Sequence, residues 1–193
     1  MARQSTRERI TKETSIRLKL DLDGNRNISI STQIPFFDHM LTLFAFHAGL
    51  DLSIEAMGDL PVDDHHTVED VGILLGEAIR EALGNKKGIN RYGLCYLPMD
   101  EALARAVIDI SNRPFLHYKA TFERTSIGGL SLENVNEFMR AFAMESRISL
   151  HIEVLYGCND HHKVESLFKA LGRALRDAVF IQGDDVNSTK GVL

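Results

Sequence analysis

With 193 residues, 44% hydrophobic and 25% charged, the chain is ordinary globular material, long enough for one domain or two fused small lobes. A net charge of −5 and a pI near 5.9, with no Lys/Arg stripe, argue against nucleic acid as the main partner. Two cysteines give no disulfide framework and fit a reducing cytoplasm, no apolar run approaches membrane-spanning length, and polar Met1–Thr14 lacks the apolar stretch of a secretory signal.

In chain order, Ile16–Leu22 alternates apolar and polar and meets Asp23-Gly24-Asn25, which predicts a strand closed by a hairpin turn; Ile28–Thr32 resumes the alternation. Phe37–Ala48 is apolar and helix-like after Pro35, and Leu50–Ala56 alternates as a strand. Val68, Val71, Leu74, Leu75 and Ile79 then mark a helix, with Asp64 at its N-cap position. In the second half Tyr92–Pro98, Glu101–Ile110, Leu116–Arg124 and Ile148–Tyr156 read as strands and Leu132–Met144 as a helix. Val164, Leu167, Leu171 and Leu175 mark the last helix, capped by Asp160. Gln182–Leu193, rich in Gly, Asp, Asn and Ser, is loop.

Asp64-His65-His66-Thr67-Val68-Glu69 returns 96 residues later as Asp160-His161-His162-Lys163-Val164-Glu165. Gly76/Gly172, Ala78/Ala174, Arg80/Arg176 and Ala82/Ala178 keep that offset, and Leu52–Glu55 matches Leu150–Glu153 at 98. At the latter offset His39 aligns with Glu137. The chain therefore reads as a tandem duplication. Each lobe is α+β, an antiparallel or mixed four-stranded sheet with two helices on one face, and the halves pack across a pseudo-twofold axis. Helical neighbours point about 100° apart, whereas residues four apart share a face. His65 with Glu69, and His161 with Glu165, can then chelate one ion each while His66 and His162 aim elsewhere. Imidazole and carboxylate without thiolate suit Mn, Fe, Co, Ni or Zn.

Further motifs extend the pattern: Arg9–Glu13 before an alternating strand, Phe37-Asp38-His39-Met40-Leu41, and Asp63 to Asp70 around the first His pair. Then come Met99-Asp100-Glu101-Ala102, Asp109-Ile110-Ser111-Asn112-Arg113-Pro114, Asn159 to His162, Phe168-Lys169-Ala170 and Ser188-Thr189-Lys190-Gly191-Val192. In this order, over nearly the whole chain, they resemble the imidazoleglycerol-phosphate dehydratases of histidine biosynthesis. The resemblance implies a ribosomal-protein-S5-domain-2-like fold in one unit, with lobes at about residues 10–92 and 93–181 and a substrate-contacting tail at 182–193. It implies a cytoplasmic homo-oligomer of 24 subunits built from trimers, with two Mn²⁺ per active site between subunits, and neither nucleic acid nor membrane as partner. One ion would take His39, His66, His161 and Glu165, the other His65, Glu69, His162 and Glu137. Glu137 departs from the family pattern, where many relatives carry histidine.

The implied reaction converts imidazole-glycerol phosphate to imidazole-acetol phosphate. The hydrogen removed lies on a carbinol carbon with no adjacent carbonyl, so the substrate's imidazole is the electron sink. Held as imidazolate between two cations, it would expel the hydroxyl to form a diazafulvene, and C–H proton loss would restore the ring. By resemblance Glu13 handles protons, His47 orients substrate or a ligand, and Glu13 and His39 contact substrate. Arg91, Arg113, Lys169, Ser188, Thr189 and Lys190 would bind the phosphate, although as isolated residues they are ordinary surface groups. Two rivals remain: a zinc hydrolase using the duplicated His/Glu sites, and a binding module of the S5-like type, which would need a basic face.

Overall fold

In β2 (Thr14–Asp21) Ile16, Leu18 and Leu20 are buried while Ser15, Arg17 and Lys19 face outward, the period of two that a strand covered on one face requires. The structure is a computed structural model and describes residues 2–193. β2 pairs antiparallel with β1 (Gln4–Ile10) and β4 (Asp51–Gly58), and β3 (Ile28–Ser31) runs parallel to β4, giving the order β1-β2-β4-β3. The crossover from β3 to β4 is α1 (Pro35–Ala48), and α2 (His65–Leu83) follows β4.

The second lobe repeats this. β5 (Tyr92–Met99), β6 (Ala102–Asp109), β7 (Phe115–Lys119) and β10 (Ser149–Tyr156) form a sheet of order β5-β6-β10-β7, again with one parallel pair, β7 with β10. A small hairpin of β8 (Ser126–Ile127) and β9 (Leu130–Ser131) precedes α3 (Asn134–Ser146), and α4 (Asp160–Val179) ends the lobe. Register carries the repeat further than sequence did. β2 pairs Ile16 with Ala56 and Leu18 with Ile54, whereas β6 pairs Ala104 with Val154 and Ala106 with Ile152. β4 and β10 thus keep the offset of 98, and β2 and β6 correspond at an offset of 88.

The lobes meet through their helices, α2 against α3 and α1 against α4. Exchanging the lobes turns one contact into the other, the signature of a pseudo-twofold axis. Glycine permits both approaches: a Cβ at Gly76 would lie 2.8 Å from the Phe142 carbonyl oxygen, and one at Gly172 would lie 2.5 Å from that of Phe44. Phe37, Phe44, Phe138, Phe142 and Phe168, all fully buried, fill the centre, with Phe37 edge-on to Phe138 at 5.4 Å.

The structure departs from the sequence expectations in four places. The N-terminal segment is an edge strand, so the first sheet starts at Gln4 rather than near residue 10; only Ser5 of its side chains is buried, leaving no apolar alternation to announce it. Polar contacts to α2 hold it instead: Ser5 to Glu81, Arg7 to Glu77 and Arg9 to Asp70. Asp23-Gly24-Asn25 makes no hairpin, because the Asp51 carboxylate accepts from the Asn25 and Asn27 amides and turns the chain across to the far side of β4. The strand expected to reach Arg124 stops at Lys119. Finally, Asn159 rather than Asp160 caps α4, and Asp64 makes no side-chain cap bond. Asp63 and Asn159 accept from the His65 and His161 amides, both at 2.9 Å. This frees Asp64 to hold Ser131 and Asp160 to hold the Glu123 and Arg124 amides.

Candidate functional site

Each His-His pair opens a helix and splays as helical geometry dictates. The rings of His65 and His66 stand at 82° with centroids 6.0 Å apart, and those of His161 and His162 at 82° and 6.1 Å. Within each helix the residues four apart meet: His161 Nε2 lies 3.1 Å from Glu165 Oε2, and His65 Nε2 lies 3.8 Å from Glu69 Oε2. α1 then crosses from the other lobe and sets His39 Nε2 3.8 Å from Glu165 Oε2. Donor atoms of His39, His161 and Glu165 all lie within 4.8 Å of one another. Two imidazoles and one carboxylate fit a first-row divalent ion. Burial would raise the Glu165 carboxyl, but Lys169 and His161 outweigh it and hold it below the usual range, the charged form that suits a cation.

The pseudo-twofold counterpart is His65, Glu69 and Glu137, beside a cavity of about 350 Å³ lined in part by Asp63, His65, Asn134 and Glu137. Asn134 Oδ1 lies 3.1 Å from His65 Nδ1, which leaves Nε2 for a ligand. Here Glu69 and Glu137 both accept from the Arg140 guanidinium.

His66 and His162 join neither set. His66 Nδ1 lies 3.0 Å from Asp59 and its Nε2 3.8 Å from Glu13; His162 Nδ1 lies 2.7 Å from Glu101 and its Nε2 3.8 Å from Asp100. A carboxylate on Nδ1 fixes the ring and presents Nε2 as the donor. These hydrogen bonds hold both imidazoles above the ordinary histidine range. In return His162, with the Asn159 and Cys158 amides, holds Glu101 well below the usual carboxylate range. Glu13 and Glu101 each immediately precede the strands β2 and β6, so register makes them equivalent residues of the two lobes.

The expected phosphate residues gather elsewhere. Arg91 pairs with Asp109 at 2.7 Å and donates to the Asn187 carbonyl at 2.9 Å, so Ser188, Thr189 and Lys190 leave from beside it. Arg113 approaches the same Asp109 at 3.8 Å, whereas Lys169 lies apart, paired with Glu165. Arg91 adjoins the first residue of β5 and Glu101 follows the last, which separates them by about 23 Å of strand. α4 spans the same gap. Arg91 N donates to Ala178 O at one end while His162 meets Glu101 at the other, and the helix between them is about 24 Å long. The Arg91 cluster and His162 therefore stand at opposite ends of β5 and α4. His47, in the last turn of α1, sits below the ordinary histidine range through burial and the nearby charges of Lys169, Arg173 and Arg26.

The profile of the imidazoleglycerol-phosphate dehydratase family matches residues 32–175. The chain is similar to the imidazoleglycerol-phosphate dehydratase of Geobacillus kaustophilus, at 53% identity over 195 residues and all of both chains. The chain belongs to the imidazoleglycerol-phosphate dehydratase family. The Exiguobacterium sp. dehydratase is 56% identical over 185 residues, 95% of each chain. The crystal structure of the Staphylococcus aureus dehydratase superposes with a TM-score of 0.85 at 41% identity, covering 93% of this chain and 99% of that one. The Pyrococcus furiosus dehydratase gives 0.83 at 41% identity, covering 97% and 100%.

As an imidazoleglycerol-phosphate dehydratase the chain is a hydro-lyase of histidine biosynthesis, which closes the hydrolase and binding-module alternatives. Among the described residues no helix is long and apolar enough to cross a membrane. Asp59, Asn134 and Arg140 escaped the sequence reading, as did the part Glu101 plays. Only Glu101 left a signal, since it stands in a motif, but its offset of 88 from Glu13 hides it from a search at 96 or 98.

Proposed function

We propose that this chain dehydrates imidazole-glycerol phosphate to imidazole-acetol phosphate in active sites shared between copies, each with two Mn²⁺. One observation carries the reading: His39, His161 and Glu165 converge as three donors, His65, Glu69 and Glu137 are their pseudo-twofold counterpart, and His66 and His162 stand apart with Nδ1 tied to a carboxylate. His39, His161 and Glu165 would hold one ion with His66 of a neighbouring copy; His65, Glu69 and Glu137 would hold the other with a neighbour's His162. The separation of about 23 Å along β5 between Arg91 and Glu101 asks for the same solution, because a second copy can carry the phosphate cluster to the metal donors. A closed assembly such as 24 subunits built from trimers satisfies every copy alike. The two lobes and the tail act as one unit, and the enzyme works in the cytoplasm, a compartment that the free Cys95 and Cys158 suit.

When bound, the two ions would favour the anionic form of the substrate's imidazole. The ring's electron pair would then form an exocyclic C=C bond while the hydroxyl on the carbon beside the ring departs with the C–O pair and takes up the proton the ring gave up, leaving water and a diazafulvene. A base takes the proton from the adjacent carbon, the ring regains aromaticity, and the resulting enol becomes the ketone. Glu13 is that base: it stands 3.8 Å from His66 Nε2 with half its side chain exposed, free to turn to the substrate. Half-buried His47, kept neutral, is suited to orient it. Arg91, Arg113, Lys169 and the Ser188–Lys190 tail supply charge and donors for the phosphate.

The test is a dehydratase assay on imidazole-glycerol phosphate, with particle mass followed as metal is removed and restored. Chelation should break the assembly and abolish turnover, and Mn²⁺ should restore both. A metal-free particle of undiminished mass would remove the shared-site placement, and no turnover in the Mn²⁺-loaded protein would remove the reaction.

A further inference from the structure

The two half-sites share an axis but not their counter-charges. Beside Glu165 the cation is Lys169, one turn further along the same helix, and the three donors still converge. Beside Glu69 the cation comes from the facing helix. Arg140 Nη2 lies 2.7 Å from Glu69 and 2.7 Å from Glu137, and Arg140 Nε adds a 2.9 Å bond to Glu137. Its counterpart in α1, at the offset of 98, is Thr42, an uncharged residue whose hydroxyl donates to the Asp38 carbonyl. One half-site therefore keeps its carboxylate open to His39 and His161. In the other, a guanidinium bridges the two carboxylates. Among the described residues, the His39 set is the one whose donors all lie within mutual reach.

We infer that Arg140 is a built-in competitor for the second ion. Its guanidinium holds Glu69 by Oε1, leaving Oε2 toward His65, but takes Glu137 Oε2 with two bonds, so Glu137 must be released before it can join His65 and Glu69 on a divalent cation and the ions load in order, the His39 set first. The inference rests on the proposed use of these residues as ligands. Arg140 suits the task. A planar fork can bridge two carboxylates, relieving their repulsion until a cation of higher charge arrives. With 48% of its side chain exposed, it has solvent to swing into, so the threshold is modest rather than a block. The same contact has opposite consequences in the two states: it steadies the metal-free protein and weakens its second metal site.

Full-length protein stripped by chelation and titrated with Mn²⁺, with free ion followed by electron paramagnetic resonance, tests this. The parent should show two classes of site. In Arg140→Gln the weaker class should tighten about two- to fivefold and the stronger should stay unchanged, an effect in the range of partly exposed ion pairs. The metal-free variant should unfold at lower urea than the parent. Arg140→Lys, which keeps the charge without the fork, should fall between. A weaker class that is unchanged in Arg140→Gln, or weakened, overturns the competitor role. A weaker class left unchanged in Glu69→Gln would instead overturn the ligand assignment beneath it, so the two failures are distinguishable.

Discussion

Replacing Gly172 by alanine should force α4 away from α1 and open the His39 half-site. The added Cβ would lie 2.5 Å from Phe44 O, 3.1 Å from Ala48 N and 3.2 Å from His47 Cβ. Ordinary contact begins at 3.4 Å, so two backbones must part by about 0.9 Å, and no flexible side chain can absorb the change. Two effects compete. Alanine is favoured over glycine inside a helix by about 0.8–1 kcal/mol, whereas an extra methyl in a packed interface costs about 1–3 kcal/mol. A clash this close, against main chain, belongs at the upper end, so a net loss of about 1–2 kcal/mol is expected. His39 rides on α1 and Glu165 on α4, so the same splay lengthens their 3.8 Å approach and should weaken Mn²⁺ there about tenfold. Gly76→Ala is the internal control. Its Cβ would stand 2.8 Å from Phe142 O, a smaller displacement, and its effect should fall on the Glu69 half-site. Urea unfolding of the metal-free protein and Mn²⁺ titration measure both quantities. A Gly172→Ala protein stabilised by the helix-propensity gain would refute the close approach, and equal weakening of both ion classes would refute the assignment of each helix pair to its own half-site.

Glu13→Gln and Glu101→Gln should separate two roles at equivalent positions. Glu13→Gln should cut turnover about 10²- to 10⁴-fold with Mn²⁺ content intact, whereas Glu101→Gln should weaken Mn²⁺ binding about 10- to 100-fold by freeing the His162 ring; a swap of these outcomes would reverse the roles. His47 predicts a pH effect in the metal-free protein. Its folded value lies below the unfolded value near 6.5, so in that window the unfolded chain binds more protons. Stability is then full above the unfolded value and falls as pH drops toward the folded one. His47→Gln should flatten the urea midpoint against pH between about 5 and 7, and an unaltered slope would show that other groups set it.

How much could be read in advance follows from where the information sits. The His/Glu pairs were legible because an i,i+4 pair is a local geometric fact, and His161 with Glu165 meets it at 3.1 Å. The lobe fold was legible wherever alternation marks a covered face, as in β2 and β6. β1 was not, because an edge strand held by Arg7–Glu77 and Arg9–Asp70 carries no apolar signal. The path from Asn25 to β3 was hidden because Asp51, far along the chain, decides it. Arg140 between two carboxylates was hidden for the same reason: it is a contact between helices of different lobes.

That crossing of lobes ties each donor set to both halves of the duplicated chain. His39 belongs to the first lobe and its partners His161 and Glu165 to the second; Glu137 belongs to the second and its counterparts His65 and Glu69 to the first. A single lobe carries every residue type required yet cannot close either set on itself, because its own crossover helix packs on the other lobe's motif helix. Two identical lobes would have closed two identical half-sites. Fusion keeps that arrangement at fixed stoichiometry and also lets equivalent positions differ. His39 then stands opposite Glu137, Thr42 opposite Arg140, and Glu13 opposite Glu101. A dehydratase acts on a substrate with unlike ends, and unlike residues at equivalent positions of the two lobes suit such a substrate better than identical ones would.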